Sequence, residues 1–196
     1  NIGTAKPSAH DRSQITHHLV DVIDPTETYG LARFIEDSTR IVTEIHSRGN
    51  QPFLVGGTGQ YIWGLLEGWR IPRIPPNPPL RTYLEQQAET YGSQKLHKKL
   101  TSIAPEVASQ IDHRNKRRVI RALEKHTLGQ SAGTSSREAR VAPSFKTTVI
   151  GLTMDRAHLY KRIDTRITNM IASGWIDEVA ELMKTGYEIA SPAMTS

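Results

Sequence analysis

The sequence predicts an α/β protein: a core built on a parallel sheet, interrupted by a helical, basic insertion. Three observations carry this. Phe53-Leu54-Val55 is a short apolar run without polar alternation, and Gly56-Gly57-Thr58-Gly59 follows at once. Such a run suits a strand covered on both faces. Strand, glycine turn and helix together set backbone N–H groups and a hydroxyl at the carboxyl edge of a sheet, where ligands bind in α/β folds. Next, five prolines fall within Pro72–Pro79. A stretch so rich in proline is neither helix nor central strand and reads as a semi-rigid connector. Finally, Leu80 to about Gly129 is helical in pattern with no good strand, whereas Thr147–Leu152 reads as a strand returning to the sheet.

The elements follow in order. Leu31, Phe34, Ile35, Ile41, Val42 and Ile45 recur at helical spacing, so an amphipathic helix is expected over about Tyr29–Ser47. Gly49-Asn50 ends it and the strand Gln51–Val55 comes next. A short helix over Tyr61–Leu66 stops at Gly68. Gln130–Val141 is polar and rich in serine, which reads as a loop. Asp155 is placed to cap a helix over about Arg156–Ala172. Gly174 interrupts it, and a last helix covers roughly Ile176–Lys184. The core is therefore expected to be discontinuous, residues 1–75 and 142–196, with the insertion at 76–141.

Composition narrows the function classes. The chain has 196 residues, 37% of them hydrophobic, and no cysteine, which excludes a disulfide framework and a thiolate metal site. That fits a reducing cytoplasm. No apolar run approaches the ~18 residues that would suggest a membrane span. The formal net charge is +5, and its placement is uneven. Arg81–Arg140 holds 12 Lys/Arg against 6 Asp/Glu, whereas the remainder holds 13 against 14. All the excess positive charge thus sits in the insertion. It suits a polyanion such as nucleic acid, or it is a solvated basic helical surface.

The order Gly3-Thr4-Ala5-Lys6-Pro7, His17-His18-Leu19-Val20-Asp21, then Val55-Gly56-Gly57-Thr58-Gly59-Gln60-Tyr61 resembles the tRNA dimethylallyltransferase (tRNA isopentenyltransferase) family. Arg121-Ala122-Leu123-Glu124 and Leu159–Arg166 continue the match, which covers nearly the whole chain. The resemblance implies a P-loop NTPase-like core with an inserted helical domain for tRNA. It also implies transfer of a dimethylallyl group from its diphosphate to N6 of the adenosine beside the anticodon. In that family a P-loop and a general-base aspartate precede the GTAKP motif. Neither occurs here, the first residue is Asn1, and Ala193–Ser196 looks like the start of a further motif. An internal fragment that is inactive alone is therefore expected.

The resemblance implies site residues one by one. Thr58 is expected to orient the substrate adenosine, where turn geometry alone would allow a local hydroxyl–backbone bond instead. Arg166 matches the family arginine on the diphosphate, with Arg162 one turn earlier on the same helix face. Spacing alone leaves open that both arginines bridge to Asp155 or Asp164. Lys6 is expected to contact phosphate or to cap a carbonyl. Arg81, Arg117, Arg118, Val119, Ile120 and Arg121 match tRNA-contacting positions, and helical spacing would put Arg114, Arg117, Arg118 and Arg121 on one basic face. His17 and His18 lack an acidic or thiol partner set at metal spacing, so no metal ligand is assigned. Mg²⁺ would accompany the diphosphate in the complete parent and is not expected to be firmly held here. The partners implied are the tRNA anticodon stem-loop and dimethylallyl diphosphate, and the protein is expected to be a cytoplasmic monomer. Two alternatives remain: a prenyltransferase for free adenine nucleotides, and a non-catalytic RNA-binding module. The extended basic insertion argues against the first.

Overall fold

The computed structural model describes residues 1–71, 77–128 and 140–187. The chain divides into two compact units, one from Asn1–Leu66 with Ser144–Ser196 and one from Glu67–Pro143. Residues 72–76 of the expected connector, most of the expected loop over 130–141, and Ala193–Ser196 lie outside the described residues. The connector was expected to run non-helical through Pro79, but Pro78 and Pro79 open a helix, where a missing N–H breaks no intrahelical bond.

In the first unit, α1 spans Ala9–Gln14, α2 Leu31–Ser47, α3 Gly59–Leu66, α8 Arg156–Ala172 and α9 Trp175–Lys184. The α1 helix was not anticipated. It is short and buries nothing, so it has no apolar period to find, yet Ser8 and Asp11 form a capping box at its start. The α2 helix packs on α3. Phe34 stacks on Tyr61 with ring centroids 4.8 Å apart, and the Tyr61 hydroxyl donates to the Tyr29 carbonyl at 3.1 Å. Tyr29 in turn donates to Asp37 at 2.8 Å. The α8 helix is capped as expected, with Asp155 accepting from the N–H groups of Ala157 and His158. Gly174, at φ 90°, turns the chain into α9.

The expected sheet does not form among the described residues. Gln51–Val55 and Thr147–Leu152 carry no strand assignment. Phe53 is 85% and Leu152 95% exposed, the reverse of strands covered on both faces. The apolar runs were read correctly as apolar, but a ladder also needs partner backbone at its side, and none of the described residues supplies it. For the same reason α8 has no buried residue, and its Leu159, Ile163, Ile167 and Ile171 stay open to solvent.

The second unit is closed. Here α4 spans Pro78–Tyr91, α5 Ser93–Ile103, α6 Pro105–Ser109 and α7 Lys116–Thr127. Leu84, Ala88, Leu96, Leu100, Ala108, Val119, Ile120, Ala122 and Leu123 form one buried cluster. The breaks are local: Gly92 at φ 82° between α4 and α5, and Pro105 at the first position of α6. Asn77 caps α4 and Asn115 caps α7. The two ends of the unit meet in an antiparallel bridge between Trp69 and Arg140. Val141 N–H donates to the Gly68 carbonyl at 2.9 Å, and Arg140 pairs with Glu67 at 3.2 Å. Gly68 has φ +62°, and a Cβ there would collide with the Val141 carbonyl, so this neck needs glycine.

Candidate functional site

The first unit holds a cleft of about 1040 Å³ between the Asn1–Ala9 segment and one face of α8. His158, Arg162, Thr165, Arg166 and Asn169 line it from α8, as residues one helical turn apart must. Lys6 and Arg12 line it from the other side, with Lys161 beside Arg162. The structure thus brings Lys6, Arg162 and Arg166 together. Neither arginine pairs with a carboxylate among the described residues. Asp155 is occupied in capping α8 and lies 3.8 Å from His158 instead, so the bridging alternative to Asp155 or Asp164 does not form.

Lys6 caps no backbone carbonyl among the described residues. Its Nζ donates to Asn1 Oδ1 at 2.7 Å and to the Asp21 carboxylate. Arg12 reaches the same carboxylate at 3.4 Å. The hydrogen bond from Lys6, reinforced by the charges of Lys6 and Arg12 against slight desolvation, holds the Asp21 carboxyl below its usual range. Ala5, Leu19 and Asp21 have φ of 49°, 58° and 56°, the left-handed region that side chains avoid. Ala5 and Asp21 both line the cleft. Strain of this kind, of order 1–3 kcal/mol per residue, persists only where the surroundings enforce it, and it gathers at functional sites.

One enforcing contact is Glu178 on α9. Its carboxylate accepts from Ile2 N–H at 2.9 Å and Gly3 N–H at 3.2 Å. Trp175, on the same helix, lies against Gly3, where a Cβ would collide with the indole Nε1 and sit 3.1 Å from two ring carbons. The glycine of GTAKP is therefore fixed by close packing. Arg12, His158, Lys161, Trp175 and Glu178 were not anticipated. Counting back four residues from Arg162 would have found His158. The contacts of α9 with residues 2 and 3 span about 170 positions of sequence and leave no local signal.

Thr58 is exposed at the start of α3 and does not line this cleft. Its carbonyl accepts from Tyr61 and Ile62 N–H. Its hydroxyl has no partner among the described residues, so the local hydroxyl–backbone bond is absent. Gly56 and Gly57 do not adopt positive φ, and a Cβ on either would meet nothing within 4 Å. No contact within the described chain asks for glycine there. His17 and His18 are exposed, and His17 Nδ1 lies 2.8 Å from the Ile15 carbonyl.

In the second unit, Arg117 and Arg118 are exposed on the first turn of α7 without an ion-pair partner among the described residues. Arg114 precedes the helix and is held by Asp112 at 2.6 Å. Val119 and Ile120 are buried in the core, which leaves only their backbone to reach any ligand. Arg81 and Arg121 are half-exposed, and both bond the carboxylate of Glu124.

The family model described as IPP transferase matches residues 1–196. The tRNA dimethylallyltransferase of Chloroflexus aggregans is 47% identical over all of this chain and 66% of its own length. That of Thermomicrobium roseum is 44% identical, over 59% of its length. Among solved structures, the tRNA isopentenylpyrophosphate transferase of Bacillus halodurans aligns with a TM-score of 0.62 and 37% identity, over 100% of this chain and 60% of that one. The enzyme of Staphylococcus epidermidis gives 0.59 and 30%, over 64% of its length. The chain spans about three-fifths to two-thirds of the relatives it matches. No helix among the described residues is long and apolar enough to cross a membrane.

Proposed function

Because the chain belongs to the IPP transferase family, we propose that it acts within a tRNA dimethylallyltransferase. That enzyme moves the dimethylallyl group of dimethylallyl diphosphate to N6 of the adenosine beside the anticodon. The observation that supports this most is the gathering of Lys6, Arg12, Lys161, Arg162 and Arg166 around one cleft. A bond forms from N6 to the first carbon of the allyl group as that carbon's bond to oxygen breaks. The electron pair leaves on diphosphate, and the N6 proton passes to a base. Charge grows on the leaving diphosphate, and guanidinium forks matched to phosphate oxygens stabilise it there. Asp21 is the one carboxylate among the described lining residues. Held by Lys6, it serves as counter-ion, and the base is the upstream aspartate implied by the resemblance. Thr58, with its hydroxyl unclaimed, orients the adenosine. Arg81, Arg117, Arg118 and Arg121 hold the tRNA, in a helical domain that serves as its platform. Gln51–Val55 and Thr147–Leu152 take their place as strands of a P-loop NTPase-like sheet.

The donors around this cleft do not fit a resident Mg²⁺. A hard divalent cation takes several oxygen ligands, whereas the lining is cationic and its carboxylate is already engaged. No step is assigned to a metal bound by these residues. The same reading makes the protein a cytoplasmic monomer.

The deciding experiment incubates the polypeptide, at the relatives' full length, with dimethylallyl diphosphate and either tRNA or AMP. Prenylated adenosine in tRNA is expected. Product on AMP alone would reassign it to free nucleotides. RNA binding with no product on either acceptor would leave a non-catalytic RNA-binding module.

A further inference from the structure

Glu124 is 0% exposed, the most deeply buried charged group described in the second unit. Such a carboxylate is costly unless every lone pair is met, and here they are. Oε1 accepts from Asn77 N–H at 2.7 Å and from Arg81 Nη2 at 3.2 Å. Oε2 accepts from Arg81 Nη2 at 2.9 Å and Arg121 Nη1 at 2.5 Å. One carboxylate therefore joins the capping residue of α4 to α7 and holds an arginine from each helix. Arg81 remains 40% exposed, with only its Nη2 given to Glu124 and no other partner among the described residues. Its Nε and Nη1 N–H groups bond nothing among the described residues. A guanidinium anchored through Nη2 holds its remaining N–H groups in a set direction, which favours phosphate recognition over contact by a freely rotating side chain.

Building on the tRNA-binding reading above, we propose that Glu124 is a positioning residue. It holds Arg81 in the orientation that engages an RNA phosphate, so that a buried negative charge strengthens the binding of a polyanion. The sign is what makes this testable. Simple electrostatics predicts that removing a negative charge from a basic face tightens RNA binding. Loss of positioning predicts the opposite.

The test measures affinity for an anticodon stem-loop RNA across a salt series, for the full chain and its variants. Circular dichroism confirms that each variant is folded at the temperature used. Glu124→Gln is expected to weaken binding by about tenfold, the scale of one charge-assisted hydrogen bond. In an Arg81→Ala background, Glu124→Gln should cost nothing further. Arg81→Lys keeps the charge but not the fork and should weaken binding almost as much as Arg81→Ala. It also serves if Glu124→Gln does not fold. Unchanged or tighter binding by Glu124→Gln would overturn the proposal. So would an equal loss in both Arg81 backgrounds, or wild-type affinity and salt slope in Arg81→Lys. Arg117→Ala with Arg118→Ala is the control on the underlying reading. If that pair leaves affinity and salt slope untouched, the RNA face itself is misassigned. If it weakens binding while the Glu124 series does not, only the positioning role fails.

Discussion

Gly3 shows how a single residue ties sequence to site. It sits against Trp175, so Gly3→Ala must move either the indole or the segment that carries Ala5 and Lys6 into the cleft. We expect Gly3→Ala to weaken inorganic diphosphate binding with little change in the helical signal. The readout is the quenching or shift of Trp175 emission in a protein whose Trp63 and Trp69 are replaced by Phe. Wild-type affinity in that variant would mean the segment does not need this packing. Thr58 gives the complementary case, a hydroxyl with no partner among the described residues. In the full-length enzyme, Thr58→Ala should lower turnover more than tRNA affinity, and wild-type turnover would remove its orienting role. The sequence made Lys6, Arg162 and Arg166 legible, because a motif and a one-turn spacing carry them. It did not reveal Asp21 as the partner of Lys6, since ion pairing across 15 residues leaves no periodic trace.

At the level of elements, the helices were readable because capping and periodicity are local. Asp155 caps α8 where expected, and α2 begins within two residues of its forecast start. The strand runs carry no ladder among the described residues, because a ladder is a tertiary property and an apolar run says nothing about what lies beside it. The neck of the second unit is similar. Gly68 was read as a helix stop, but it also accepts the bond from Val141 that closes the unit. Gly68→Ala should destabilise that unit by about 1–2 kcal/mol from left-handed strain alone, and more from the collision, as read by urea unfolding. The carboxylate tying α4 to α7 carries a pH signature. Burial would raise the Glu124 pKa, but the bonds from Asn77, Arg121 and Arg81 prevail and lower it beneath its ordinary 4.5. A lowered carboxyl contributes stability above that unfolded value and loses it as pH falls through the folded one. Unfolding free energy should therefore drop below about pH 4.5, and Glu124→Gln should flatten that drop. An identical acid dependence in the variant would show that other carboxyls govern it.

Across the whole molecule the two units differ in how they hold together. The second unit has a closed apolar centre, and Leu100 within it is fully buried. Leu100→Ala should cost about 2–5 kcal/mol, measured by urea unfolding, whereas Arg166→Ala should leave that transition in place. The first unit has few buried apolar side chains, Ile41 and Leu65 among them, and its apolar runs at 51–55 and 147–152 carry no strand assignment, with Phe53, Val55, Ile150 and Leu152 exposed. An exposed apolar run whose backbone joins no ladder is a template for another copy of itself. The polypeptide should then be limited less by unfolding than by self-association. Light scattering should rise steeply with protein concentration even at temperatures where the helical signal is intact. Lysine in place of Val55 and Ile150 should suppress that rise while leaving the second unit's melting unchanged. Anyone concentrating the polypeptide for crystals or spectra would meet those two runs first, as a solubility ceiling set by exposed apolar backbone.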